Sequence, residues 1–267
     1  MSSVYDRSPA GAPLRAAPSG AAALAGLPEW ALSALYAGMD APELVRDLAS
    51  VAADAVAFET EWKGRLAQEA ANPAAGGLGR ALRRYEEIEE LMGRIGSYAG
   101  LLYAGDTSDP VRAKFYGDVQ EKLTDASAHL LFFTLELNRI DDVAVDAAFD
   151  ADPAFGHYRP WVVDLRQDKP YQLEDRVEQL FHEKSITGRA AWNRLFDETM
   201  TALRFDVGGE SLTLEPTLNG LQDPDPAVRQ RAAEALARTF RENLRTFTLI
   251  TNTLAKDKEI SDRWRGF

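Results

Sequence analysis

The sequence of 267 residues contains no cysteine. The absence of thiols excludes disulfide bonds, thiolate zinc sites and cysteine nucleophiles, and it fits a reducing compartment. Histidine is also scarce, with 3 residues, which leaves little material for a site built on imidazoles. Long apolar runs are missing as well. None approaches the ~20 residues that span a bilayer, so we expect no membrane partner.

Acidic residues outnumber basic residues. The chain has 30 Lys and Arg against 42 Asp and Glu, a formal net charge of −12. A surface of this sign repels phosphate backbones, and no local basic stripe is present, so we expect no nucleic-acid partner. The remaining composition, 45% hydrophobic and 27% charged, is ordinary for a globular protein long enough for one large domain or two small ones.

The first 26 residues are rich in Ala, Pro, Gly and Ser. Such a segment buries too little apolar surface to offset its ordering entropy, so residues 1–26 are predicted to be a disordered tail. A signal peptide is the alternative. It would need a basic start followed by a continuous apolar run, whereas Pro and Arg interrupt this segment throughout.

Apolar residues recur at spacings of three and four through most of the remaining chain, which predicts amphipathic helices. One predicted stripe comprises Leu44, Leu48, Val51, Ala55, Phe58 and Trp62, and a second comprises Leu82, Tyr85, Ile88, Met92, Ile95, Tyr98 and Leu102. Asp-Pro pairs, or Asp shortly before Pro, stand where helix N-caps and first turns belong. Gly93, Gly96 and Gly100 lie within one predicted helix and indicate a place where another helix approaches closely. Long helices are predicted to start at Asp40–Pro42, near Leu78, at Asp109–Pro110 and at Asp225–Pro226. The helix from Pro110 is predicted to continue to Leu137, roughly 45 Å, and the helix from Pro226 to continue to Leu254. Shorter helices are predicted around 153–167, 171–184 and 188–203.

One stretch changes period. Phe205 and Val207 alternate before Gly208–Gly209, and Leu212 and Leu214 alternate after it, which predicts a β-hairpin. The predicted fold class is therefore mainly α: a multi-helix array of long antiparallel helices with one small β-hairpin near 203–214.

The three histidines do not form a metal-binding pattern. His182 opens the stretch HEKSI, which begins like the HExxH helix of zinc peptidases, but position 186 is Ile where that motif needs a second His. We therefore expect His182 to be a surface or turn residue. His129 is expected to be packed or half-buried in its helix, and His157 to pack among aromatic residues at a bend.

Other residues that could carry chemistry have structural explanations. The acidic run 86–90 is typical of a solvated helix face, and the acidic residues in 141–146 and 150–153 fit caps and turns rather than an acid/base pair. Gly208–Gly209 fits a turn, since no phosphate-binding glycine motif accompanies it. No GxSxG elbow is present. The sequence therefore offers no catalytic or metal-binding residues that we can name.

Four stretches together resemble the N-terminal part of the oligoendopeptidase F family, within the thimet-oligopeptidase-like zinc metallopeptidases. The resemblance covers nearly all of 27–267, and its most specific blocks surround Trp192 and Trp264. In the opening block Ala31 and Ala34 stand where polar or acidic residues are expected, a departure that concerns a local cap or turn. The four stretches, in the family's order, are LPEWALSALYAG (27–38), EKSITGRAAWNRLFDETMTALRFDV (183–207), LQDPDPAVRQRAAEAL (221–236) and NTLAKDKEISDRWRGF (252–267).

The resemblance implies a cytoplasmic metalloendopeptidase that cuts short, unfolded peptides inside a helical shell. In that chemistry zinc polarises the scissile carbonyl and lowers the pKa of a bound water, while the Glu of HExxH is the general base. That motif and the third zinc ligand, a Glu, are expected downstream of this chain. We therefore expect the chain alone to bind no zinc and to be inactive, its partner being the missing C-terminal catalytic half.

The resemblance also implies a domain division. Residues 27–204 would form the N-terminal helical domain, and 205–267 the incomplete beginning of the peptidase domain. The final SDRWRGF (261–267) would then be an internal junction of a longer enzyme. The residues favour the same interpretation, because no C-cap Gly followed by a packing partner is evident and Trp264 and Phe267 have no obvious element to bury them.

Two non-catalytic alternatives remain open. DPDPAVRQRAAEALA (223–237) resembles one helix of a HEAT-type repeat, although a solenoid needs at least three copies and SDPVRAKF (108–115) is the only other loose match. The chain could instead be a stand-alone regulatory or peptide-binding module.

Overall fold

Helices make up nearly all of the regular structure in the computed structural model, which describes residues 31–267. The predicted class, mainly α with one small hairpin, is confirmed. The predicted tail at 1–26 lies outside the described residues. The α-helices are α1 (Pro42–Trp62), α2 (Leu66–Ala71), α3 (Gly77–Gly105), α4 (Pro110–Ala128), α5 (Leu131–Arg139), α6 (Asp142–Ala151), α7 (Pro153–His157), α8 (Arg159–Leu165), α9 (Asp175–Lys184), α10 (Arg189–Ala202), α11 (Leu214–Gly220), α12 (Pro226–Glu242) and α13 (Leu244–Arg265), with short 3-10 turns at Leu32–Ala34, Pro73–Ala75 and Arg166–Tyr171.

The larger hydrophobic core lies among the helices between α1 and α8. The apolar stripe predicted on α1 faces this core, and each fully buried side chain of this kind stabilises the fold by about 1.5–3 kcal/mol. Phe58 is at its centre, with ring centroids 5.6 Å from Phe132 and 5.4 Å from Phe133. The buried members of the α1 stripe are Leu44, Val51, Ala55, Phe58 and Trp62, and Leu48 is half-buried.

A second, smaller core surrounds the hairpin. It joins Leu203 and Phe205 to Ala235 and Leu236 of α12. The ring of Phe205 is fully buried and meets Phe240 edge to face, at a centroid distance of 5.6 Å. The hairpin is therefore held by the apolar face of α12, the helix predicted to start at Asp225–Pro226.

The hairpin pairs β1 (Phe205–Val207) with β2 (Glu210–Leu212), in the register Phe205 to Leu212. Gly208 and Gly209 form its two-residue turn with φ of 68° and 91°, values that favour glycine and suit a turn between twisted strands. Leu214 departs from the predicted alternation because it begins α11 instead of continuing the strand.

The continuous helix predicted from Pro110 to Leu137 is wrong. The structure breaks it after Ala128, where the amide nitrogens of His129 and Leu130 bond to carbonyls three residues earlier, at 3.1 Å and 3.0 Å. Such bonds tighten the last turn and re-aim the chain. The helix predicted from Pro226 to Leu254 is likewise divided, at Asn243, whose side-chain amide donates to the carbonyl of Thr239 at 2.9 Å.

The helix starts are mostly as predicted. Asp109 accepts hydrogen bonds from the first turn of α4, and Asp225 does the same for α12. Asp40 is not a cap, because α1 begins one residue further on with Ala41 as its N-cap residue. These Asp and Pro signals are local, which is why the sequence shows them.

The glycines of α3 only partly mark a close approach. A Cβ at Gly96 would meet Leu123 at 3.4 Å and one at Gly100 would meet Tyr116 at 3.9 Å, both ordinary contacts, while Gly93 faces open space. A tighter approach occurs at Gly79, where a Cβ would lie 2.8 Å from the Asp152 carboxylate.

The end of α13 differs from the sequence-based expectation in its C-cap. Gly266 does form a left-handed C-cap, with φ of 74°, and the Phe267 amide donates to the Asp262 carbonyl at 2.9 Å. Phe267 stacks its ring on Tyr171 at 4.1 Å, but it is 72% exposed and Trp264 is 55% exposed, so no element buries these two side chains, as expected. The residue in the left-handed region lets the chain turn back onto the helical body.

Candidate functional site

Two of the three histidines tie distant helices together. His129 Nδ1 lies 2.5 Å from a carboxylate oxygen of Glu59 on α1, and its ring is half-buried, as predicted. His182 Nε2 lies 2.7 Å from Ser127 Oγ on α4. His182 is half-buried in the last turn of α9, so its assignment as a surface or turn residue is only partly right.

His157 does not pack at a bend as predicted. It is exposed at the end of α7, with its ring 5.1 Å from that of Tyr158 in an edge-to-face arrangement. The neighbouring Phe155 takes the buried position instead. The bend is therefore packed by phenylalanine, and the imidazole faces solvent.

The Ser127–His182 pair is not arranged for nucleophilic catalysis. Ser127 Oγ donates its single proton to the carbonyl of Thr124 at 3.0 Å. The imidazole must then donate from Nε2 to the hydroxyl. A general base has to accept the serine proton, so this contact joins α4 to α9 and does not activate a nucleophile.

The Glu59–His129 pair is a charge cluster that includes Lys63. Burial opposes ionisation of Glu59, but hydrogen bonds from His129 and Lys63 outweigh it and lower the pKa of the carboxyl below its ordinary value. Lys63 Nζ lies 2.5 Å from the other carboxylate oxygen. Glu59 is therefore held ionised as an acceptor, which suits a positioning contact better than proton transfer.

The acidic stretches have the structural roles predicted for them. The four glutamates of 86–90 are exposed on α3. Asp141 caps α6 and Asp152 caps α7. Asp152 does more than its sequence suggested, because its second carboxylate oxygen accepts from the Gly79 amide at 2.9 Å.

The residues present do not fit a zinc ion. No group of three or more His, Asp or Glu side chains within 31–267 could hold a metal. His182 and Glu183 stand where HExxH would begin, and Ile186 replaces its second imidazole. We therefore derive no catalytic step through zinc from these residues.

A trough of about 590 Å³ lies between α10 and the facing parts of α3 and α4. One wall is a face of α10 whose lining residues recur every three or four positions. Thr107 Oγ1 and Thr201 Oγ1 are joined by a hydrogen bond of 2.6 Å beside it. The lining, here called the α10 trough, comprises Gly100, Tyr103, Ala104, Thr107, Tyr116, Gly117, Gln120, Ile186, Ala190, Ala191, Asn193, Arg194, Asp197, Met200 and Thr201.

Tyr103 is the unusual residue of the α10 trough. Its side chain is 7% exposed, and its hydroxyl has no hydrogen-bond partner anywhere in the described structure. Its ring stacks on Tyr116 at 4.8 Å with an angle of 1° between the planes. Burial raises the pKa of Tyr103, and the nearby Glu198 and Asp197 carboxylates raise it further. The phenol therefore stays protonated and keeps an unused donor.

Sequence reasoning missed the α10 trough. Asn193, Asp197 and Thr201 do share a helix face at spacings of four, which is a signal that could have been read. Tyr103 stands one residue from Leu102 of the predicted apolar stripe, so its pattern indicated core packing. That α3 and α10 meet is a long-range fact, which periodicity does not contain.

A second polar cluster lies around Glu178, beside a cavity of about 320 Å³. Glu178 is buried and receives both ends of the Arg265 guanidinium, at 2.6 Å and 2.7 Å. The amide nitrogen of Leu173 also donates to it at 2.9 Å. This cluster ties the end of α13 to α9, near the aromatic contact between Trp264 and Phe181.

Comparison with known proteins gives two matches. Residues 136–205 match the family model for the N-terminal region of peptidase family M3, described as Oligopeptidase F. The fold matches the crystal structure of oligoendopeptidase-F from Enterococcus faecium with a TM-score of 0.60 and 18% sequence identity, over 84% of this chain and 42% of that one. No curated protein matches the chain.

These matches confirm the resemblance to an oligoendopeptidase F N-terminal part. At this level of identity the solved structure shows a shared fold, while the family model identifies the segment that carries the family's sequence pattern. That segment includes α9, α10 and the Trp192 block. The chain spans less than half the length of the solved oligoendopeptidase.

Proposed function

We propose that this chain is the N-terminal part of a zinc-dependent oligoendopeptidase and forms part of the shell that restricts access to its active site. The observation that carries this proposal is the family match over 136–205, together with the shared fold. Long helices packed on two apolar cores make a wall, which is what steric exclusion of folded proteins requires. Short, unfolded peptides would be the substrates of the complete cytoplasmic enzyme.

The zinc chemistry would come from residues outside this chain. The complete HExxH motif does not occur in the sequence. The solved relative is more than twice as long as the region that matches, which leaves room for a catalytic half. In such an enzyme zinc would polarise the scissile carbonyl of the substrate and lower the pKa of a bound water. We propose 205–267 as the beginning of that peptidase domain. Its hairpin and α12 share the smaller core, which Leu203 from the preceding segment also joins.

Exposed apolar side chains support the existence of a further partner region. Leu195 and Phe196 of α10 are 40% and 42% exposed, and Leu249 and Trp264 of α13 are 56% and 55% exposed. Large exposed apolar side chains of this kind are typical of surface that another part of a protein covers. We propose that the catalytic half covers it in the complete enzyme.

Purified chain 1–267 tests the proposal through zinc content and peptide cleavage. We expect no stoichiometric zinc after dialysis and no cleavage of a quenched-fluorescence octapeptide with or without added zinc. The longer natural protein, assayed in parallel, should hold one zinc and cleave the same peptide. Zinc-dependent turnover by the chain itself, surviving stringent purification, would show that the catalytic residues are here and refute the proposal.

The alternative is a non-catalytic helical scaffold or peptide-binding module. The α10 trough is the observation that favours the peptide-binding form of this alternative. A longer protein without zinc or peptidase activity, but with measurable peptide affinity, would decide for it.

A further inference from the structure

We propose that a groove between α1 and α4 is a docking surface for a second copy of this chain, which packs on it about a two-fold axis. The groove has a volume of about 450 Å³. The inference goes beyond the proposed function, because it concerns how copies of the chain assemble. The lining of this α1–α4 groove includes Val45, Ala49, Ala52 and Val56 of α1 and Lys122 and Asp125 of α4.

Helix α1 is apolar on two sides. One stripe, within 44–62, faces the larger core. The other, here called the outer stripe, consists of four exposed residues at spacings of four, three and four: Val45, Ala49, Ala52 and Val56. Val45 is 60% exposed and Val56 is 47% exposed. A solvated helix face ordinarily carries polar side chains, whereas apolar residues at this spacing are typical of a helix that packs on another helix.

The outer stripe is complementary to itself in size. In an antiparallel pair of α1 helices, Val56 of one copy faces Ala49 of the other, and a two-fold axis repeats this contact with the roles exchanged. A large side chain therefore meets a small one at both ends of the contact, which lets the two helices interdigitate. Ala52 lies between these positions and carries only a methyl group, so the helix backbones can approach closely.

The α4 side of the groove is complementary to itself in charge. Lys122 and Asp125 are exposed there, one helix turn apart. The ion pairs that α4 forms in the described structure lie near its start, at Arg112 and between Lys114 and Asp118. A two-fold axis that passes between Lys122 and Asp125 sets each of them against its opposite charge on the second copy, twice per dimer.

The directions of α1 and α4 allow both helices to face their own copies. Each is antiparallel to α3. Phe58, late in α1, lies 6.1 Å from Tyr85, early in α3, between ring centroids. Phe115, early in α4, lies 6.1 Å from Tyr98, late in α3. Helices α1 and α4 therefore run in the same direction, and one axis across both places each of them antiparallel to its copy.

The same axis satisfies both pairings. The contact of 2.5 Å between Glu59 and His129 marks one level on α1 and α4. The centre of the 122/125 pair lies between five and six residues before His129, and the centre of the 49/56 pair lies between six and seven residues before Glu59. The two centres agree within about one residue, or about 1.5 Å along the helix. This agreement between size and charge points to a second copy as the partner.

Charge exchange in the whole 267-residue chain tests the proposal by sedimentation equilibrium. The four samples are wild type, Lys122→Asp, Asp125→Lys and an equal mixture of the two variants. Each variant alone sets like charges against each other at two places, so its dimer Kd should rise about tenfold. The mixture restores both opposite-charge pairs between unlike copies. Mixed dimers should therefore form with an affinity close to that of wild type.

A second pair of variants tests the outer stripe. Ala52→Glu places a charge in the groove and should weaken dimerisation by at least about tenfold, because the carboxylate would lose its water in the interface. Ala57→Glu is the matched control. Ala57 is also an exposed alanine of α1 but does not line the groove, so this variant should dimerise like wild type. Both should keep the helical circular dichroism of wild type.

Three results would overturn the inference. One is a monomer in all four samples, which would leave the groove to another segment of the protein. The second is equal self-association in all four, because association through the exposed side chains of α10 and α13 does not depend on charges of α4. The third is a mixture that dimerises no better than either variant alone, which would refute the two-fold pairing. None of them touches the proposed function, which stands or falls on zinc and cleavage in the longer protein.

Discussion

The contact between Arg265 and Glu178 gives a sharp energetic prediction. Replacing Arg265 with Met removes both guanidinium bonds to Glu178, at 2.6 Å and 2.7 Å, and leaves the carboxylate with the Leu173 amide as its remaining partner. Breaking a fully buried pair in this way costs about 3–5 kcal/mol. The side chains are 24% and 10% exposed, so solvent screening reduces the expected loss to about 2–3 kcal/mol.

The assay is native-state hydrogen exchange followed by mass spectrometry. Loss of about 2 kcal/mol of local stability should accelerate exchange about 30-fold in peptides covering the last two turns of α13. Arg263→Met is the matched control. Arg263 lies two residues away on the same helix and is 61% exposed beside Glu259, so its loss should change exchange less than threefold.

The pH dependence of the same contact has a definite sign. Burial raises the pKa of Glu178, but the hydrogen bonds from Arg265 and from the Leu173 amide outweigh it and leave the pKa below its ordinary value of 4.5. A carboxyl with a lowered folded pKa stabilises the fold above its unfolded pKa, and this contribution is lost as pH falls through the folded pKa. The difference between wild type and Arg265→Met should therefore shrink below about pH 4.5.

A double variant separates an ion pair from simple packing. Arg265→Met combined with Glu178→Met removes both charges and should recover most of the lost protection, because apolar side chains of similar volume often replace a buried pair without cost. Exchange rates for Arg265→Met indistinguishable from those of Arg263→Met would refute the reasoning. They would mean that the contact is screened like an ordinary surface pair.

Three further predictions follow from the fold. Asp152→Ala removes the cap of α7 and leaves the buried Gly79 amide without its hydrogen-bond acceptor. The free energy of unfolding in urea should therefore fall by about 2–3 kcal/mol. A loss below about 0.5 kcal/mol would contradict this role. Burial and the Asp47 carboxylate raise the pKa of Tyr36 to about 12. The protonated phenol should therefore contribute its full stabilisation below pH 10 and lose it as pH rises towards 12. An ultraviolet titration in which every tyrosine titrates at its ordinary pKa would contradict this prediction. The exposed apolar side chains of α10 and α13 should make the chain self-associate in sedimentation velocity, and a monodisperse monomer at high concentration would count against the covered-face argument.

Local signals in the sequence predicted the parts of the fold that depend on neighbouring residues. Asp109 and Asp225 were recognisable as caps because their partners lie two or three residues away. The glycine pair of the hairpin was recognisable for the same reason, since the turn requires positive φ at both positions. The α1 stripe followed from helical periodicity alone.

The helix break after Ala128 was not predictable in this way. The turn is held by Glu59 bonding His129 and by His182 bonding Ser127, contacts that span 70 and 55 residues of sequence. The apolar periodicity continues through the break because both helices face the same core. Only the packed arrangement of α1, α4 and α9 reveals that the chain must turn there.

The candidate site shows the same division between local and long-range information. The absence of an HExxH motif could be recognised from the sequence alone, because Ile186 occupies the position of the second histidine. The unsatisfied Tyr103 hydroxyl was not, since a tyrosine beside an apolar stripe indicates core packing. Its lack of a partner depends on where α10 lies, and that position is a property of the tertiary structure.

The most direct test of the central claim is to read the coding sequence beyond the Phe267 codon and weigh the native product. The account predicts an in-frame continuation that encodes HExxH, and an intact mass about twice the 29.4 kDa of this chain, as the 42% coverage of the solved relative suggests. A stop codon directly after Phe267, with a native product of 29.4 kDa, would contradict it. Any function would then lie in binding.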